Sequence, residues 1–544
     1  MSNVKERIKA SKERKWNIKT PFEIAKQFSE WFKGTGCTVF FTALLTGFAA
    51  HFLLLVYGLM SQDGQVYSIR YFASDWEISL GRWGQIPVTN ARAGYAVSYL
   101  SASLSLFYIA LSAVFIAMAL ELRTKLASIL TGISVAVAPS VVATLLYENL
   151  SDSHSLVLLF ACMGGYFITR KKKGVLYLIP GVICMVASLS IYQSFIGFSL
   201  GLLLLVTILR LLLGRDPWPE YAKAFLKGFL SGIAAFVLYT VLTKIFQTVS
   251  GNGMSTYYGV SDLGLKKIIT SLPSSIVAAY KAFFQYFIRD TILYNTPWRR
   301  HYFYMVFFAA AIILGIVILI QRRIYREIGR LILLFALTAL LPAGFNLIQL
   351  IVPDSEIYIM TSMQMVLILP FVLSLCENAG EGILKCIAQW VLVLLMIPIL
   401  GTYYFSDILS YKTLKETADQ GFYGAERVLS RMENTEGYEK GMPVAFDGWF
   451  FDVNYPRDRS YWEYSIGSIV VNNQTHMNYG AMIESVRKIY LENFGVELNI
   501  VDSATYLDII GSREFREMNE FPGENSVKII DGVMVVKMLE EPMR

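Results

Sequence analysis

The stretch 174–209, GVLYLIPGVICMVASLSIYQSFIGFSLGLLLLVTIL, contains no charged side chain. As one helix it would be roughly 54 Å long at about 1.5 Å per residue. A bilayer's hydrocarbon core is only about 30 Å thick. The run is therefore expected to split into two spans around the polar patch Ser188–Ser194 (SLSIYQS).

The same apolar character extends through much of the chain. Of the 544 residues, 55% are hydrophobic and only 17% are charged; mean hydropathy is +0.47. A soluble protein of this size carries more charge. Uncharged runs recur at 37–62, 93–120, 126–147, 154–169, 228–243, 302–320, 331–353, 357–376 and 386–406. Most approach the roughly 20 residues a span requires. With 174–209 counted twice, the expectation is an all-α polytopic membrane protein with about 11 transmembrane helices.

Loop charge sets the expected orientation, because Lys and Arg favour the cytoplasmic side. Residues 1–36 hold nine of them, and the links at 123–125, 170–173, 210–227, 322–330 and 385 are also basic. The alternate links 147–153, 188–194 and 352–357 have none. Basic links on both sides of 174–209 require an even number of crossings between them, which supports the split. The N-terminus is then cytoplasmic, the C-terminus extracytoplasmic and the location the plasma or inner membrane. Residues 1–36 form a basic N-terminus with an interfacial helix around 21–33, and no cleavable signal is recognised there.

Residues 37–406 form the membrane domain, and 407–544 read differently. This tail has 14 Lys/Arg against 23 Asp/Glu, a net of −9; the whole chain is +6, so the remainder is +15. PVAFDG (443–448) reads as a strand ending in a turn, and 477–494 has helical spacing. SVKIIDGVMVVKM (526–538) reads as a hairpin about Asp531-Gly532. The tail is expected to be a small α/β extracytoplasmic domain. The cysteines Cys37, Cys162, Cys184, Cys376 and Cys386 lie in or beside spans, where free thiols are ordinarily buried and apolar. The Asn473-Gln-Thr triplet carries no weight.

Two outer loops, 61–92 and 247–301, contain Lys and Arg that topology does not explain. The first holds Asp63, Arg70, Arg92 and the segment SDWEISLGRW (74–83), with Asp75, Trp76, Glu77, Arg82 and Trp83. Ionisable groups beside a membrane are functional suspects, although a solvated loop with ordinary ion pairs remains open. The tryptophans read either as interfacial anchors or as platforms for a sugar ring. The second loop holds Lys266, Lys267, Lys281, Arg289, Asp290, Arg299, Arg300 and His301. KAFFQYFI (281–288) reads as an interfacial helix. The cations of TPWRRHY (296–302) suit a lipid-linked phosphate, since Arg grips phosphate with paired donors; phospholipid headgroups are the alternative. Phosphate-loop, dinucleotide and HExxH patterns are absent, and no GxSxG stands with partner spacing. With only four histidines, no metal site is expected, and His51 reads as a hydrogen-bonded core residue.

A first span followed by Asp-Gly, a spacer, D-W-E-x-S-L-G-R-W and many further spans resembles the bacterial Gtr-type (serotype-converting type II) membrane glucosyltransferases. These are C-class, polyprenyl-phosphate-sugar-dependent glycosyltransferases. Tyr192-Gln193 in SIYQSF also resembles a feature of that family. The resemblance extends to about residue 406. One departure is that many relatives have paired acids where this chain has Gln62-Asp63. The resemblance implies transfer of a hexose, glucose in the family's usage, from a polyprenyl-phosphate donor to a cell-surface glycan on the outer face. Asp63 is the first choice for general base, then Asp75, then Glu77. Arg82 with Arg289, Arg299 or Arg300 would hold phosphate, with Arg70 and His301 beside them. Tyr192 and Gln193 would line the cavity. The implied partners are the bilayer, the lipid-linked sugar, the glycan acceptor and a separate donor synthase and flippase; no cofactor and no nucleic acid are implied. Two other classes compete: a transporter or flippase of lipid-linked saccharides, and a membrane acyltransferase using His51.

Overall fold

The computed structural model describes residues 29, 32–59, 70–170, 175–255, 265–289, 300–353, 355, 357–449, 476–477, 486–487, 490–491 and 493–538. In chain order the helices begin with α1 (Thr35–Ala50) and α2 (Phe52–Tyr57), then the short α3 (Asp75–Ser79) and α4 (Gln85–Ala91). Next come α5 (Ser98–Ala119), α6 (Lys125–Ala136), α7 (Pro139–Leu145), α8 (Ser151–Thr169), α9 (Ile179–Ile191), α10 (Ile196–Leu213), α11 (Trp218–Ser250) and α12 (Leu265–Phe284). The series continues with α13 (Arg300–Gln321), α14 (Ile328–Ala339), α15 (Leu341–Phe345), α16 (Leu347–Ile351), α17 (Ile368–Asn378) and α18 (Ile383–Glu433). Six described helices are long and apolar enough to cross a membrane, or seven if the bent α6–α7 pair is one span. Three more are apolar but shorter. The α6–α7 bend of 46° falls where Pro139 starts α7, a position that favours starting a new helix over continuing the old one.

The run 174–209 does reverse. Tyr192 is extended after α9, and a 3-10 turn, Gln193–Phe195, leads into α10. Both helices pack on α8 through Gly164 and Gly165. A Cβ on Gly164 would lie 2.8 Å from Met185 of α9; one on Gly165 would lie 2.8 Å from Leu202 of α10. Ile168 faces Gly181, and Ser199 Oγ donates to Ala161 O at 2.6 Å. Moving along α8 from 164 to 168, its α9 partners run from 185 to 181. From 161 to 165, its α10 partners run from 199 to 202. Thus α9 is antiparallel to α8, α10 is parallel to it, and the chain turns back at SIYQS.

The links segregate to two ends of the bundle. At one end Glu377 accepts from the backbone N–H of Arg123 (2.9 Å) and Thr124 (2.8 Å), and Arg210 pairs with Glu121 at 3.6 Å. Arg330 donates to Leu211 O (2.7 Å) and Gly214 O (2.8 Å), and Lys385 to Ala379 O (2.7 Å). Arg330 and Lys385 satisfy carbonyls at helix C-termini, where the dipole also favours them. The segments 70–97, 147–152 and 192–195 gather at the other end.

His51 lies at the junction of α1 and α2 with both ring nitrogens engaged: Nδ1 with Tyr411 Oη at 2.8 Å and Nε2 with Ala136 O at 3.0 Å. It is fully buried, as a hydrogen-bonded core histidine should be. The cysteines are reduced thiols, but Cys37 is only half-buried and Cys386 is exposed. That corrects the uniform expectation of burial; both lie near the starts of their helices, outside the packed interior. KAFFQYFI is helical, but its helix begins much earlier, at Leu265, and Tyr286 and Phe287, in the π turn just past its end, enter the main core.

One helix joins bundle and tail. Met396, Tyr403 and Tyr411 of α18 belong to the main apolar core, whereas Ala425, Val428 and Met432 pack with Val444, Phe446 and Met534. At 51 residues α18 is about 75 Å long. The tail sheet has β1 (Pro443–Trp449), β2 (His476–Met477), β3 (Asn499–Ile500), β4 (Val527–Ile530) and β5 (Val533–Lys537) in the order β2-β1-β5-β4, with β3 beside β1. Strands β4 and β5 are the expected hairpin; Ile530 pairs with Val533. Asp531 and Gly532 have φ of 50° and 77°, the two positive values its tight turn demands. Strand β1 does not stop at Asp447-Gly448 but continues to Trp449, because Gly448 pairs with Met477 on β2. Helices α19 (Ser503–Gly511) and α20 (Arg513–Arg516) complete the described tail. Residues 21–28, most of 477–494 and Asn473 lie outside the described residues.

Candidate functional site

The segment SDWEISLGRW is organised by its own capping. Ser74 N donates to Glu77 Oε2 at 2.6 Å, and Tyr71 Oη donates to Glu77 Oε1. Ser74 and Glu77 form a capping box on α3, which satisfies otherwise orphaned N–H groups. Glu77 is buried, and its two oxygens hold the loop. Asp75 is exposed in the first turn of α3, and Trp76 is half exposed. The S-x-x-E spacing was a legible signal that sequence reasoning passed over.

After α3 the chain turns sharply at Gly81 and docks on the α9–α10 reversal. Gln193 Nε2 donates to Leu80 O (2.8 Å) and Tyr239 Oη (2.9 Å). Tyr239 Oη donates to Gly81 O at 3.1 Å. Gly84 N donates to Ser190 O (2.8 Å), and Gln85 Nε2 to Ile191 O (2.9 Å). These bonds bring LGRW and SIYQS, over 100 positions apart, into one unit. Arg82 lies with its guanidinium 4.6 Å from the centre of the Tyr192 ring, an attractive arrangement for a cation. Its buried Nε has no protein partner. Trp83 is committed to packing: it stacks on Phe246 at 4.6 Å and donates to Thr243 Oγ1 at 3.1 Å.

The start of α8 completes this end. Arg92 Nε is 3.5 Å from Asp152, and Arg92 also donates to Asn149 O. Ser98 donates to the buried Glu148. The His154 ring lies 4.8 Å from Tyr192 and 6.0 Å from Tyr147. Tyr192 Oη and Tyr358 Oη are 2.7 Å apart. Asp152, His154, Tyr239 and Tyr358 were not among the candidates read from sequence. For Asp152 and His154 the signal was the polar cluster ENLSDSH (148–154) between two apolar runs; Tyr239 and Tyr358 had no such signal.

The remaining candidates lie elsewhere. Arg70 holds the loop rim, donating to Tyr95 Oη at 2.6 Å. Arg300 is fully buried over Tyr403, 4.4 Å from its ring centre. Tyr304 Oη lies 2.6 Å from Tyr403 Oη, so Arg300 belongs to a tyrosine cluster between α13 and α18. Arg289 is exposed and His301 is partly buried against Tyr302. Asp63, Asp290 and Arg299 lie outside the described residues. On α18, Asp407 is fully buried and neither carboxyl oxygen has a protein partner.

Chemically, the first cluster offers a cation beside an aromatic wall, buried hydroxyls and carboxylates at the bundle end opposite the basic links. Such a surface suits a ligand with an anionic part and a hydroxylated part. Residues 52–370 match the family model described as "Glucosyl transferase GtrII". That interval contains both docking partners, LGRW and SIYQS. No curated protein and no solved structure matches the chain.

Proposed function

The chain belongs to the GtrII glucosyltransferase family, and from that premise we propose that it transfers glucose from a polyprenyl-phosphate donor to a surface glycan on the extracytoplasmic face. The observation that carries this reading is the docking of Leu80–Gln85 on Ser190–Gln193, which sets Arg82 against Tyr192. The bundle would cross the bilayer 11 times, with the basic links inside and this cluster outside.

An acceptor hydroxyl attacks the anomeric carbon. The new glycosidic C–O bond forms as the bond from that carbon to the phosphate oxygen breaks. The hydroxyl proton passes to a carboxylate, and the lipid phosphate departs with the bonding electron pair. Asp63 is the preferred base; Asp75 is the exposed second choice. Glu77 is less suited, because both of its oxygens accept hydrogen bonds within the loop. Arg82 is the group best placed to stabilise charge on the leaving phosphate. Donor synthesis and flipping fall to separate proteins, and no metal is required. His51, buried with both nitrogens bonded, is poorly placed for an acyltransferase.

Asp63→Asn tests the base. The expected result is a loss of about 10²–10⁴-fold in transfer with normal protein level, read by mass spectrometry of surface glycans against a strain lacking the gene. A retained hexose in the variant removes Asp63 as base. A glycan profile that the gene does not alter overturns the transferase reading.

A further inference from the structure

His154 is a buried polar group at this end that the mechanism above leaves unused. It is only 2% exposed, and neither Nδ1 nor Nε2 has a protein partner. Leaving buried polar atoms unpaired is costly, and two of them on one ring beside the candidate site call for an explanation. The surroundings specify its chemistry. Rings of Tyr147 and Tyr192 flank the imidazole at 6.0 and 4.8 Å, and Tyr358 adds its hydroxyl through Tyr192. Ser151, three residues earlier and thus on the same face of α8, also has a buried hydroxyl without a partner.

We infer that His154, Tyr147, Tyr192 and Tyr358 form the subsite for the sugar ring of the donor, with the imidazole bonding a ring hydroxyl. The inference rests on the donor proposed above. A neutral imidazole offers one donor and one acceptor. A sugar hydroxyl complements both, whereas a phosphate oxygen only accepts. Aromatic faces suit the apolar faces of a sugar ring. Asp152, two residues before His154, is paired with Arg92. Arg82, across Tyr192, supplies the cation for phosphate. One aromatic ring thus separates a sugar-facing side from a phosphate-facing side.

The test compares two probes on the full-length protein in nanodiscs: polyprenyl-phosphate glucose and bare polyprenyl phosphate. His154→Ala is expected to weaken glucosylated-lipid binding at least tenfold and leave bare-lipid binding within twofold. Arg82→Ala is expected to weaken both. His154→Asn, which keeps a donor and an acceptor, should recover part of the loss. If His154→Ala weakens both probes equally, or neither, with an unchanged melting temperature, the subsite is overturned. Should that variant fail to fold, Tyr358→Phe serves instead, with a several-fold loss confined to the glucosylated probe; no selective loss overturns the subsite. Equal binding of both probes by the wild type overturns the subsite alone. Binding of neither overturns the donor reading and the subsite with it.

Discussion

Gly81→Ala is the sharpest probe of how the DWE–LGRW segment is held. Gly81 has φ of 74°, a left-handed conformation that costs an L-residue roughly 1–2 kcal/mol. Its added Cβ would meet Tyr239 Oη at 2.3 Å and Gln193 Nε2 at 3.3 Å. The hydroxyl must move, and its 3.1 Å bond to Gly81 O is lost at about 1 kcal/mol. Together these terms come to about 2–3 kcal/mol, a factor of roughly 30–150 in the population of the docked loop. Transfer should fall accordingly, with a lowered melting temperature. Tyr239→Phe provides the internal control, because it removes the clashing oxygen and leaves Cζ at 3.4 Å. The double variant should be less impaired than the sum of the singles by about 1 kcal/mol, the signature of shared contact. Wild-type turnover and melting in Gly81→Ala, or strict additivity in the cycle, would refute the reasoning.

Trp83→Phe should cost about 1 kcal/mol through the lost bond to Thr243, and Thr243→Val should reproduce that loss in a thermal melt; two unchanged melts would remove Trp83 from this packing role. Trp83→Ala, which also loses the stack on Phe246, should cost roughly 3 kcal/mol. Replacing the unpartnered Asp407 with Leu should raise stability by about 1–3 kcal/mol, since apolar substitutes for buried charged groups are often better tolerated; a lowered melting temperature contradicts this. Gly532→Val should destabilise the tail hairpin by roughly 1–2 kcal/mol, read by limited proteolysis of the tail, and unchanged cleavage rates would show that its φ of 77° is not required.

Much of the architecture was legible because its causes are local. A 36-residue uncharged run exceeds the bilayer, and the polar SLSIYQS patch was its one obvious breaking point; α9 and α10 do reverse there. Asp531-Gly532 between two apolar runs specified a hairpin through backbone sterics alone. His51 in an apolar run had to be hydrogen-bonded, although Tyr411 as its partner, 360 positions away, was not predictable. The family was legible for a different reason. The DWE–LGRW pattern is short and particular, and the match over 52–370 includes it.

The candidate site was legible as a set of residue types but not as an arrangement. Arg82 and Tyr192 were both candidates, yet nothing local placed the guanidinium over that ring. Trp83 had two open readings; only Phe246 and Thr243, supplied by α11, commit it to packing. Arg300 was grouped with the loop cations, but its burial among Tyr304 and Tyr403 depends on how α18 passes α13. His154 and Asp152 escaped notice because a polar residue at the edge of an apolar run looks the same whether it faces water or another helix. Sequence alone determined which segments are long and apolar, where charge interrupts them, and which turns need glycine, since these are properties of a residue and its near neighbours. Tertiary structure decided which polar groups are satisfied and which have no partner within the chain, because a hydrogen-bond partner more than 100 residues away is selected by packing.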